Sequence, residues 1–225
     1  MLTKIIAIDG PAGSGKSTTA KLVAKRLGFM YLDTGAMYRA ITLKALENKI
    51  DVCDEEKLEK LVKNSKIEFH HDDCSKKIFL DGKDVTLEIR SPWIDKNVSY
   101  VSEHKNLRKI LVELQREIGE KNDLVAEGRD TTTVVFPDAL VKVYMDCKLK
   151  ERAKRRLWEL EQKGIKTTLK EQLKDLTLRD NIDSKRKNSP LTKDKDAVLI
   201  DTTDLTIEQQ VEEVLKIYNK KTLAK

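Results

Sequence analysis

The chain has 225 residues, 39% of them apolar and 36% charged, and carries a formal net charge of +6. This suits one domain, or one with an insertion, around a real core; it excludes a disordered or low-complexity chain. No apolar run approaches the ~20 residues of a membrane-spanning helix, and the N-terminus has no signal-peptide pattern, so a cytoplasmic protein without membrane association is expected.

Thr3–Asp9 is mostly apolar, as in a strand buried on both faces of a parallel sheet. A glycine-rich turn follows, then a helix over Ser17–Leu27 with an apolar stripe through Ala20, Val23, Ala24 and Leu27, stopped by Gly28. Phe29–Leu32 reads as a second strand, and Asp33 or Thr34 can cap a helix over Ala36–Glu47. From about Asp51 to Gly119 the rhythm breaks. That stretch predicts a short helix over Glu55–Lys63 and a hairpin of Lys66–His71 with Lys76–Leu80, joined by the polar Asp72–Ser75. Asp81-Gly82 reads as a further turn, and Pro92 precedes a helical pattern over Asn106–Ile118. Alternation then resumes with strands at Leu124–Ala126, Ala139–Met145 and Ala197–Ile200. Helices are predicted at Leu149 to about Lys163, Leu169–Arg179 and Ile207–Tyr218, before a lysine-rich end expected to fray.

The fold class that follows is α/β: a doubly wound parallel sheet with a five-stranded core flanked by helices. Residues 1–50 and 120–225 form that core, and 51–119 is an insertion expected to move relative to it. Cys53, Cys74 and Cys147 form no C-x-x-C pair and no metal-ligand spacing with His70, His71 or His104. Free thiols in a reducing compartment are the simpler reading.

Gly10-Pro11-Ala12-Gly13-Ser14-Gly15-Lys16-Ser17 fits G-x-x-x-x-G-K-[ST] at every fixed position. The glycines let the loop curl so that successive N–H groups face phosphate oxygens, and the following helix adds its positive end. Lys16 reaches the terminal phosphates and the Ser17 hydroxyl suits Mg²⁺. The match follows an apolar strand and opens an amphipathic helix, the context this motif requires. Residues 10–18, ending at Thr18, are therefore candidate ATP contacts, with Mg²⁺ expected to arrive with ATP.

A GTPase switch would carry an N-K-x-D guanine reader, and the chain has none. A helicase or motor would be longer and would end a strand in paired acids, for which Leu124–Glu127 is only a weak match. A small kinase needs arginines, whose planar forks grip phosphate oxygens in pairs. Arg39, the Arg129-Asp130 pair, the Arg152, Arg155, Arg156 face and the Arg179, Asp183, Arg186 stripe supply them. Nucleic-acid binding is the rival raised by the positive charge, but aromatics are only 5%, with Trp93 and Trp158 isolated, and no stacking platform is evident.

Together, Ile8–Thr18, Leu32-Asp33-Thr34-Gly35-Ala36-Met37-Tyr38-Arg39, Glu127–Asp130, Thr133–Ala139 and Arg179–Leu191 resemble bacterial cytidylate (CMP/dCMP) kinase, over nearly the whole chain. The resemblance implies a P-loop core, an inserted monophosphate-binding region and a short lid at about 150–188. It implies transfer of the ATP γ-phosphoryl group to CMP or dCMP, with UMP or AMP as the alternative acceptor; a monomer is expected. By the same resemblance, Thr34, Tyr38, Arg39, Ser99, Arg108, Arg129, Asp130, Arg179, Asp183 and Arg186 form the CMP set. Lys16, Arg129, Arg152, Arg156 and Arg179 would be catalytic, and Arg155 would join the ATP contacts. Where the family usually has glycine, this chain has Thr132, which fits if its φ stays negative.

Overall fold

The computed structural model describes residues 3–71 and 76–223. The predicted Asp72–Ser75 connection, with Cys74, lies outside the described residues. Two compact units result: residues 1–32 with 119–225, and residues 33–118.

The first unit is built on a five-stranded sheet. Its strands are β1 (Ile5–Asp9), β2 (Met30–Asp33, whose last residue is counted with the other unit), β6 (Leu124–Gly128), β7 (Val141–Asp146) and β8 (Val198–Asp201), in the order β2-β6-β1-β7-β8. β1 pairs in parallel with both β6 and β7, and β7 in parallel with β8. With neighbours on both edges and helices on both faces, β1 buries Ile6, Ala7 and Ile8 completely. This is why its sequence shows no apolar–polar alternation. Ala20, Val23 and Ala24 of α1 (Lys16–Leu27) and Val211, Val214 and Tyr218 of α8 (Ile207–Leu223) close the core. α8 continues through the lysines expected to fray. α6 (Leu149–Gln162) and α7 (Leu169–Lys185) complete the unit, and a capping box starts α7: the Thr168 hydroxyl accepts from Glu171 N, and Thr168 N donates to the Glu171 carboxylate.

The second unit holds α2 (Thr34–Glu47), α3 (Glu55–Lys63), the antiparallel sheet β3 (Ile67–His71), β4 (Lys76–Leu80) and β5 (Lys83–Asp84), α4 (Pro92–Val101) and most of α5 (Lys105–Lys121). α2 groups with this unit, which spans residues 33–118. Asp33 is the α2 cap, accepting from Ala36 N at 2.9 Å. The Asp81-Gly82 turn joins β4 to β5 with φ of 51° and 82°, the paired positive angles of a tight hairpin.

Three predictions need correction. No helix is predicted between Pro92 and Asn106, yet α4 forms there: proline opens its first turn, and Ile94, Val98 and Val101 bury one stripe. α7 runs past Arg179 to Lys185. Arg186 is therefore its C-cap, with φ −58° and ψ 142°, and does not continue the helical stripe of Arg179 and Asp183.

Candidate active site

The phosphate loop leaves β1 at Asp9 and enters α1 at Lys16. Two glycines are dictated by space. A Cβ on Gly10 would lie 2.1 Å from the Met145 carbonyl oxygen, and one on Gly15, at φ 90°, would lie 2.6 Å from Gln210 Oε1. Residues far along the chain fix the loop from outside. The Thr202 hydroxyl donates to Ser14 O at 2.8 Å, and Gln210 Oε1 accepts from the Thr19 hydroxyl at 2.9 Å. Gly13 follows Ala12 in the loop, and Thr18 is exposed on the first turn of α1.

Lys16 is buried. Its Nζ donates to Pro11 O at 3.1 Å and lies 4.0 Å from Glu127 Oε2. The Ser17 hydroxyl donates to Glu127 Oε1 at 2.6 Å, and the Tyr31 hydroxyl to the same oxygen at 3.1 Å. Glu127 therefore gathers the cation and the metal-ligand candidate of the motif around one buried carboxylate. Sequence reasoning gave it no role. The available signal was an acid ending an apolar strand that neighbours β1. The Ser14 hydroxyl is buried and has no hydrogen-bond partner among the described residues.

Acid–arginine pairs stand beside the loop. Arg152 donates from Nη1 to Ala12 O at 3.1 Å and to Asp180 Oδ2 at 2.7 Å, and from Nε to Cys147 O at 2.9 Å. Arg155 is bound to Thr202, with Nη2 on its carbonyl at 2.6 Å. Arg156 pairs with Glu159 at 2.7 Å, so the three arginines of α6 have three different partners. Arg129 donates from Nε to Asp183 Oδ2 at 2.8 Å, while Arg179 lies 3.9 Å from the same oxygen. Among the described residues, no acceptor meets the terminal nitrogens of Arg129. Burial works to raise the Asp183 carboxyl, but the charges of Arg129, Arg179 and Arg186 prevail and hold it below the usual range. Arg186 also lies 3.8 Å from Asp130 Oδ1.

Asp130 opens a π-helical turn over Thr131–Val135 but makes no capping bond to it. The cap comes from β1. Asp9 Oδ1 accepts from Thr131 N at 2.8 Å and from the Thr131 hydroxyl, and Oδ2 accepts from Thr132 N at 2.7 Å and the Thr132 hydroxyl at 2.6 Å. Thr132 has no positive φ, so a side chain fits where the family usually has glycine.

The second unit holds the other candidates. Thr34 is buried on the first turn of α2. Arg39, also buried, donates to Ile89 O at 3.0 Å and pairs with Asp95. Arg90, which the sequence did not single out, pairs with Asp33. Burial works to raise the Asp33 carboxyl, but Arg90 and then Arg39 outweigh it and hold it at about 2. Arg108 donates to Ser102 O at 3.0 Å, with its guanidinium carbon 5.2 Å from the centre of the Tyr38 ring. Ser99, Tyr38 and Arg108 are all buried.

Comparison with known proteins agrees with this chemistry. A family model described as Cytidylate kinase matches residues 6–220. A cytidylate kinase of Caldanaerobacter subterraneus subsp. tengcongensis is 51% identical over 98% of this chain and 97% of its own length. One from Lactobacillus gasseri is 48% identical, covering 96% and 94% of the two chains, and one from Alkaliphilus oremlandii 49%, covering 94% and 96%.

Proposed function

The chain belongs to the cytidylate kinase family, so its reaction is transfer of a phosphoryl group from ATP to CMP or dCMP, and we propose that the buried cluster of Lys16, Ser17 and Glu127 carries the donor side. The observation behind this is the single buried carboxylate that accepts from the Ser17 hydroxyl and faces Lys16 at 4.0 Å. The orphan hydroxyl of Ser14 supports the same reading, since a phosphate oxygen would accept from it.

Ser17 and Glu127 fit the magnesium ion that comes with ATP. Both are hard oxygen donors, Ser17 at the head of α1 and Glu127 near the end of β6, 2.6 Å apart. Ser17 would hold the ion with Glu127 behind it, and the bound ion would neutralise β- and γ-phosphate charge. The protein's own work is positioning and charge stabilisation. Loop N–H groups and Lys16 orient the donor. Arg129, already aligned by Asp183, offers its terminal nitrogens to an anion. The acceptor phosphate is anionic near neutral pH, so in-line attack needs no strong general base and no covalent intermediate.

In this reading Thr34, Tyr38, Arg39, Ser99 and Arg108, with Arg129, Asp130, Arg179, Asp183 and Arg186, bind CMP. Arg152, Arg155 and Arg156 serve the ATP side, and the working species is a cytoplasmic monomer without a nucleic-acid partner. ADP release measured with Mg-ATP and CMP, dCMP, UMP, AMP and GMP in turn tests it. Turnover confined to CMP and dCMP is expected; preference for another monophosphate would overturn the acceptor assignment. Lys16→Ala should lower turnover by about 10²-fold or more while the protein stays folded, the scale of losing a key charge stabiliser.

A further inference from the structure

We infer that Asp9 is a positioning residue for the acceptor side of the reaction, acting through Thr131 and Thr132 on the Arg129-Asp130 segment. The inference rests on the reading that Arg129 and Asp130 bind the acceptor.

The chain leaves β6 at Gly128, so Arg129 and Asp130 stand outside both the strand and the turn that follows. Asp183 holds the Arg129 side chain, but the backbone of the segment needs its own anchor. A helical turn begins with N–H groups that have no partner within it, and the residue just before it usually supplies the cap. Asp130 occupies that place and makes no such bond. The register of β1 against β6 sets Asp9 opposite Gly128, which brings a second carboxylate to the same point. Asp9 accepts from both backbone N–H groups and both hydroxyls of Thr131 and Thr132, which fills the roughly four acceptor sites a carboxylate has. This borrowed cap leaves the Asp130 carboxylate to face Arg186. It also fastens the segment to the residue from which the phosphate loop departs. Asp9 is fully buried, and among the described residues its carboxylate is held by hydrogen bonds and by no ion pair.

The test removes one bond without touching Asp9. Thr132→Val deletes a hydroxyl donor to a carboxylate, and Thr132→Ser keeps it; Thr132→Ala serves if the valine form does not fold. KM for CMP should rise about tenfold in Thr132→Val, the scale of a lost bond to a charged group, with KM for ATP within about twofold. Thr132→Ser should restore the wild-type value. An unchanged KM for CMP in the folded valine and alanine forms overturns the inference, as does an equal rise in both KM values with a lowered Tm. Arg129→Ala separates the two levels. If it raises KM for CMP while the Thr132 variants do not, only the positioning role fails; if it leaves KM for CMP unchanged, the acceptor reading fails and this inference with it.

Discussion

Glu127 is a buried carboxylate with one cation 4.0 Å away and two hydroxyls donating to a single oxygen. Its charge holds Lys16 and Ser17 where the phosphates and magnesium must come. Glu127→Gln keeps the shape and removes the charge, and we expect turnover about 10²-fold lower together with a higher magnesium requirement, read from a magnesium titration of initial rates. Asp33 offers a cleaner electrostatic test. A carboxyl depressed by folding adds stability that is complete above its ordinary pKa of 3.8 and is lost as pH falls toward about 2. Asn retains the α2 cap, so Asp33→Asn isolates the charge. The variant should be less stable than the parent by about 2 kcal/mol near neutral pH, with the gap narrowing below pH about 4, as measured by urea unfolding across pH.

At the scale of elements, α7 carries Arg179, Asp180 and Asp183 on one helix whose start depends on the Thr168–Glu171 capping box. Thr168→Ala should cost about 1 kcal/mol in urea unfolding, and the loosened helix should raise KM for CMP before it lowers kcat. Hydrophobic runs made all five core strands legible in the sequence: β1 and β6 because both their faces are buried, β8 because its run is apolar although Val198 and Leu199 are exposed. The phosphate loop was legible for a similar reason: glycine spacing there answers to a backbone conformation. α4 escaped because Pro92 reads first as a break, although its stripe of Ile94, Val98 and Val101 was present. The β2-β6-β1-β7-β8 order and the partners of each arginine were not legible, since they depend on which strand ends meet in space. Glu127 and Asp9 became visible as functional candidates only with that order known, each being the last or near-last residue of a strand beside the loop.

Over the whole molecule, 44 lysines and arginines exceed 38 acids, giving the net charge of +6. Many of the arginines are committed to internal acids: Arg39 to Asp95, Arg90 to Asp33, Arg129 to Asp183 and Arg152 to Asp180. Cations paired in this way offer little to the phosphates of a polymer. Binding of single-stranded RNA, followed by fluorescence polarisation, should therefore be weak and should disappear between about 50 and 200 mM salt, as a purely electrostatic contact does. Saturable binding that survives the higher salt would restore the nucleic-acid reading.

The phosphate loop occupies residues 10–17, yet Thr202 and Gln210 brace it from the far end of the sequence. Ribosomes deliver residues in order, so the loop is made among the first and braced among the last. A nascent chain that has not yet exposed residue 210 holds the complete motif without its scaffold. The loop and its braces therefore come together only once residue 210 has joined the fold.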